Sequence, residues 1–143
     1  MTEPATLIFR ASLRARLYRD IEVSSSSTLA DLAEAIVAAF GFDMDHAYGF
    51  YSKLTGKLFG SPQRFELFAD MEGSGSRSVK RTRVITAFQK VGSAMTFLYD
   101  YGDEWRFRVE VIGTGQAQPD ANYPRIVSKV GKAPPQYPDI EDE

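Results

Sequence analysis

Apolar and polar positions alternate with a period of two from Met95 to Ile112. Phe97, Tyr99 and Tyr101 lead into Gly102-Asp103-Glu104, and Trp105, Phe107, Val109 and Val111 lead out. Two such runs joined by a Gly-Asp turn predict a β-hairpin. Parity narrows its register, because the odd-numbered apolar residues share a face only if the loop holds an odd number of residues. A two-residue loop would set Tyr99 opposite Arg106, whereas an odd loop sets it opposite Trp105 or Phe107. Cross-strand aromatic pairs contribute about 0.2–1 kcal/mol each, so the odd loop is expected and this hairpin is the expected centre of the fold.

The same reading extends along the chain. Leu7, Phe9, Ala11 and Leu13, then Leu17, Arg19, Ile21 and Val23, alternate with polar neighbours and predict an opening hairpin through Arg14-Ala15-Arg16. Ser24–Ser27 reads as a linker, and Thr28 as the N-cap of a helix, its hydroxyl accepting the backbone N–H near Asp31. Leu29, Leu32, Ala33, Ile36, Val37 and Phe40 then form one apolar helical stripe, stopped at Gly41. A single helix after a hairpin must cover a sheet face to bury that stripe.

A strand is predicted at Tyr48–Lys53, a brief return at Leu58-Phe59, a segment of open type at Arg64–Asp70, and a flexible loop at Gly73-Ser74-Gly75-Ser76. Thr82 reads as the cap of a short second helix with Val84, Ile85, Ala87, Phe88 and Val91 on its apolar face and Gly92 as its stop. After Gly113-Thr114-Gly115 the pattern dissolves. Pro119, Pro124, Pro134, Pro135 and Pro138 forbid regular helix and predict extended or turn structure lying along the body.

Composition adds limits. The 143 residues, 43% hydrophobic and 25% charged, are those of a globular chain able to bury a core without a staple. The absence of cysteine excludes a thiol nucleophile, a disulfide framework and Cys-ligated metal sites. Net charge is −2, but Asp139, Glu141, Asp142 and Glu143 put −4 in the last five residues and leave +2 on residues 1–138. That is not the footprint of a dedicated nucleic-acid binder. The expected organisation is one domain over 1–138 with an acidic, disordered tail at 139–143. Without a signal-peptide pattern or a membrane-spanning run, a cytoplasmic location is expected.

Phe97-Leu98-Tyr99-Asp100-Tyr101-Gly102-Asp103-Glu104-Trp105 resembles the aromatic, acid, aromatic, Gly-Asp, any residue, Trp core of the plasmid open-reading-frame-three-like family. That family is named after a root-inducing plasmid and is also met as a passenger protein of insertion elements. Asp45-His46 before an aromatic strand, Val91-Gly92 ahead of the hairpin, and Tyr123-Pro124-Arg125 with Gly131 and Ala133-Pro134-Pro135 support the resemblance. The chain departs from the family where Arg106 replaces a common His and where Gln136-Tyr137 replaces an acidic pair. The resemblance implies a β-grasp-like or roll-like α+β fold and a mobile-element origin, and implies no activity.

Candidate chemistry is sparse. Asp100, Asp103, Glu104 and Glu110 are oxygen ligands of the kind a hard cation takes. Yet Asp103 is expected to serve its own turn, Glu104 and Glu110 to pair with Arg106 and Arg108, and Asp100 to accept backbone N–H groups across the loop. Asp43, Asp45 and His46 suggest a metal ligand or general base, although the chain has a single histidine and Asp-x-Asp-His is commonly a turn. Arg77, Lys80, Arg81 and Arg83 are the candidate electrostatic contact surface, while a solvated loop is the expected reading of them. Trp105, Tyr99, Tyr101 and Phe107 suit either a stacking platform or the core facing Leu32, Ile36 and Phe40. No Gly-x-Ser-x-Gly or phosphate-binding loop is present.

These features predict an α+β fold, with a β-grasp-like or roll-like sheet packed on one main helix plus a short second helix. They predict a non-enzymatic interaction module for protein or nucleic acid, without a cofactor or a membrane. The competing expectations are a metal-dependent or hydrolytic enzyme using Asp45, His46, Asp100 and Asp103, and a weak nucleic-acid binder through 77–83.

Overall fold

A computed structural model describes residues 4–69 and 75–137. Gly73, Ser74, Pro138 and the acidic stretch 139–143 lie outside the described residues.

The opening hairpin forms where the alternation predicts it, as β1 (Thr6–Arg14) and β2 (Leu17–Ser24). A register shift after Ser12 pairs Arg14 with Leu17, so the turn is Ala15-Arg16 and Arg14 belongs to the strand. Thr28 and Asp31 then close a capping box on α1 (Leu29–Ala39), with Asp31 N–H donating to Thr28 Oγ1 at 3.1 Å and Thr28 N–H to Asp31 Oδ2 at 2.9 Å. Gly41 ends the helix at φ +74°, a conformation that a side chain would strain.

Beyond it come β3 (Tyr48–Tyr51), a single 3-10 turn at Leu58–Gly60 where a brief return was expected, β4 (Arg64–Glu66) and β5 (Arg77–Ser78). The second helix, α2, is only Val84–Ala87, and its N-cap is Arg83 rather than Thr82. The Thr82 hydroxyl is taken elsewhere, donating to Ser78 O at 2.7 Å. Backbone bonds from Val84 N to Ser27 O and from Leu29 N to Thr82 O tie this segment to the start of α1. At its other end the helix stops at Phe88, whose backbone (φ −115°, ψ 89°) is not helical, and Gly92 N–H donates to Val111 O at 2.8 Å, so Val91 lies outside it and exposed.

The central hairpin is β6 (Ala94–Tyr99) and β7 (Trp105–Gly115), with Tyr99 opposite Trp105 and Phe97 opposite Phe107. The loop is odd, as parity requires, and spans Asp100–Glu104, so Asp100 and Tyr101 leave the strand. Asp100 at φ 66° and Glu104 at φ 52° make the bend, closed by Glu104 N–H donating to Asp100 O at 2.7 Å.

All described strands join one sheet, in the order β5-β4-β3-β6-β7-β1-β2-β8, where β8 is Arg125–Val130. Neighbours are antiparallel except β4 and β5. The class is therefore α+β, a sheet with one main and one short helix. No helix among the described residues is long and apolar enough to cross a membrane.

One sheet face is an aromatic seam under α1. Phe50 and Phe97 stack at 4.8 Å between ring centroids, Phe97 meets Phe107 at 5.7 Å, and Phe107 meets Phe40 at 4.9 Å. Phe50, Phe97, Tyr99 and Phe107 are fully buried together with Leu32, Ala33 and Ile36 of α1. Trp105 sits at the margin of this seam, partly buried and packed on Phe42 at 4.8 Å, with no partner for its indole N–H among the described residues.

β8 is the element the proline-rich reading missed. It pairs with β2 across a register shift, so that Arg19 faces Lys129 and Ile21 faces Ile126. Gly131 ends it at φ +85°, where an added Cβ would come 2.5 Å from Arg16 O, so only glycine fits this approach. On the sheet face away from α1, charges are matched: Arg10 pairs with Asp20 at 2.8 Å and Arg125 with Glu22 at 2.8 Å, and Thr6 donates to Glu22 at 2.6 Å.

Two outcomes follow. Phe97→Ala is expected to lose about 3–5 kcal/mol in urea unfolding, since it empties the middle of the seam. Burial would raise the Glu22 carboxyl, but the hydrogen bonds from Thr6 and Arg125, with Arg125's charge, hold it below its ordinary value of 4.5. A depressed carboxyl contributes stability that is present above the unfolded value and lost as pH falls through the folded one. Glu22→Gln should therefore flatten the acid limb of the stability–pH curve below about pH 4.5.

Candidate functional site

Two regions bear on function. The first gathers residues that are distant in sequence around the loop between α1 and β3. Fully buried Tyr99 reaches it from the end of β6, accepting Asp45 N–H at 2.8 Å and donating to Asp43 O and to Asp45 Oδ1, the latter at 3.1 Å. Burial pushes its phenol pKa above the ordinary range. Gln136 closes the loop from the other side: its Oε1 accepts Asp43 N–H at 2.6 Å and its Nε2 donates to Asp43 O at 3.2 Å. His46 Nε2 lies 3.4 Å from Asp45 Oδ1 and 3.4 Å from Asp100 Oδ2, and is in hydrogen-bond contact with the Tyr137 hydroxyl.

Asp45, His46 and Asp100 thus meet in space, and Asp103 does not join them. Asp100 Oδ1 accepts the N–H groups of Gly102 at 3.0 Å and Asp103 at 3.3 Å, the turn-closing geometry expected of it. Both oxygens of Asp45 accept from Tyr137, at 3.3 and 3.2 Å. Among the described residues no group of three or more His, Asp or Glu is arranged to hold a metal ion. Chemically this arrangement is a polar clamp that fastens Gln136-Tyr137 and the Asp43–His46 loop to the central hairpin.

The remaining candidates disperse. Glu104 pairs with Arg106 at 3.0 Å and Glu110 with Arg108. Arg77 lies over the Phe65 ring at 5.9 Å and lines one groove beside Gln63 and Thr86, while Lys80 lines a different one beside Glu34 and His46. Arg81 and Arg83 are exposed. Tyr99 and Phe107 belong to the core, and Tyr101 turns to the opposite face, donating to Tyr48 O at 3.0 Å.

The second region lies along β8. Among the described strands β8 pairs only with β2, which leaves its outer edge open. Ile126 is 49% exposed and Val127 46%. Ile126 borders an apolar groove of about 200 Å³ whose other wall is Ala35, Ala38 and Ala39 of α1. This continues into a larger groove of about 710 Å³ where Arg19, Lys129 and Lys132 come together. The sequence signal for Arg19 was its phase with Leu17, Ile21 and Val23, a cation on an apolar face. The β-branched run in Arg125–Val130 was the signal for the strand.

Tyr99→Phe removes the hydroxyl that serves Asp43 O and Asp45 N–H, and should cost about 1–3 kcal/mol in urea unfolding without loosening the ring packing.

The geometry can be set beside known proteins. No curated protein matches the chain. A solved structure, that of a protein of unknown function from Methanosarcina mazei Go1, is similar in fold, with a TM-score of 0.71 at 21% identity, covering 90% of this chain and 71% of that one. The family model described as plasmid pRiA4b ORF-3-like protein matches residues 10–141, a span that takes in the sheet from Arg10 of β1 onward, α1, the polar clamp and β8. The chain therefore belongs to the plasmid pRiA4b ORF-3-like family.

Proposed function

We propose that this chain is a non-enzymatic binding module that receives an extended segment of a protein partner along the open edge of β8. The observation that carries the reading is a six-residue edge strand that presents exposed Ile126 and Val127 beside an apolar groove. An unpaired edge is a template for strand addition, with main-chain hydrogen bonds supplying affinity and alternate side-chain pockets supplying specificity. The opposite sheet edge, β5, has only two residues and offers much less backbone.

Two other readings have weaker support. An enzyme built on Asp45, His46 and Asp100 would need a carboxylate directed at a substrate, whereas both oxygens of Asp45 and Oδ1 of Asp100 accept internal hydrogen bonds. A nucleic-acid contact through Arg77, Lys80, Arg81 and Arg83 would need a continuous basic track, and against it Arg77 and Lys80 line separate grooves.

The test is a backbone-amide NMR titration with short threonine-rich, strand-forming peptides that carry valine and, two residues away on the same face, glutamine, glutamate or lysine. The expected result is perturbation confined to Arg125–Val130 and the Ala35–Ala39 end of α1 by at least one peptide, weakened by Ile126→Glu. Perturbation centred on the Asp45–His46 loop, or none with any peptide, contradicts the reading.

A further inference from the structure

The larger groove beside β8 gathers three cations that no carboxylate among the described residues balances. Arg19 and Lys129 stand directly opposite each other on paired strands, a placement that is destabilising for like charges. Arg19 is only 1% exposed, yet it has no carboxylate partner among the described residues. Its guanidinium donates from Nε to Ala39 O at 3.2 Å and from Nη1 to Tyr18 O at 2.9 Å and Val130 O at 3.0 Å. These bonds leave Nη2, in a side chain that lines the groove, without a hydrogen-bond partner among the described residues. Lys132 adds a third cation to the same groove, and neither lysine is ion-paired among the described residues.

The two faces of the same strand pair make the contrast. On the far face Asp20 and Glu22 each have an arginine at 2.8 Å. On the α1 face Arg19, Lys129 and Lys132 gather with no anion among the described residues. The carbonyl end of α1, with Ala39 O on Arg19 Nε and the Phe40 ring 4.8 Å from the guanidinium, accounts for part of Arg19's placement. It does not account for the two lysines, nor for Nη2, which has no hydrogen-bond partner among the described residues. A buried, always-charged guanidinium with an open donor is suited to bidentate recognition of a carboxylate.

We infer that the segment docked on β8 is acidic, and that one of its carboxylates enters the groove to meet Arg19 Nη2, Lys129 and Lys132. The inference rests on the edge-docking reading and adds to it the partner's chemistry. Ile126 precedes Lys129 on the same face, so the segment carries an apolar side chain over the alanines of α1 and its acid further along, opposite Lys129. A second copy of this chain is a poor occupant, since a symmetric antiparallel pairing about Val127 would set Arg125 against Lys129.

Calorimetry with the valine–glutamate peptide against its valine–glutamine counterpart tests this on the full chain. The expected result is affinity about ten-fold or more in favour of glutamate, falling steeply with salt, and a shift of the Arg19 side-chain Nε resonance with the glutamate peptide alone. Lys129→Glu with Lys132→Glu, both exposed positions, should abolish the glutamate preference and confer one for the valine–lysine peptide. If the glutamine peptide binds β8 as well as the glutamate peptide, or the Arg19 resonance stays fixed at saturation, the inference is overturned while edge docking stands. If no peptide perturbs β8, edge docking itself fails. Stronger binding of a short oligonucleotide than of the glutamate peptide at equal charge would reassign the groove to phosphates, and peptide-free dimerisation through β8 would reassign the edge to a second copy; either overturns the inference.

Discussion

Contact between the rings of β6 and β7 and the apolar stripe of α1 is the constraint from which the rest of this structure follows. Phe97 and Phe107 lie opposite each other on the hairpin, and Phe40 at the end of the helix closes on Phe107. Each of these buried aromatics contributes on the order of 2–3 kcal/mol through the area removed from water. Because side chains alternate across a strand, shifting the hairpin by one residue would send Phe97 and Phe107 to the wrong face and place Leu98 and Arg106 under the helix. The odd loop at Asp100–Glu104 is therefore part of the core's specification.

That loop also links core and surface. Its left-handed residues carry Asp100 out of the strand and beside His46, while Tyr99, one residue earlier, stays in the seam and hydrogen-bonds the loop before β3. The polar clamp is thus anchored by a core residue. Gln136 and Tyr137 complete it, and Gly131 brings the intervening chain close against the Ala15-Arg16 turn. The segment after β7 is held along the body at both points, and β8 runs ahead of them as the last strand of the sheet. Among the described strands none pairs with its outer edge.

Periodicity made much of this legible. The helix from Thr28 to Gly41, the parity of the central hairpin and the alternation of β1 and β2 all follow from which residues are apolar and at what spacing. Other features depend on partners distant in sequence. Thr82 reads as a helix cap, but its hydroxyl is taken by Ser78 O, and the start of α1 binds the segment that was expected to begin a longer helix. The prolines flanking Arg125–Val130 masked a strand that needs β2 as its template. The meeting of Asp45, His46 and Asp100 has no local signature, because a turn and a hairpin loop are brought together only by the pairing of β3 with β6. Arg19 was visible in phase with apolar neighbours, while its burial without a counter-ion among the described residues was not.

The central claim is that a rigid aromatic frame supports an edge strand whose outer backbone is left free to pair. Native-state hydrogen exchange on the peptide-free protein tests it most directly. The account predicts that amides of β6, β7 and β1 exchange only through global unfolding, while the outward-facing amides of Arg125–Val130 exchange orders of magnitude faster than the inward-facing ones bonded to β2. Uniform protection along β8 equal to that of β6, or fast exchange within the seam strands, would contradict it.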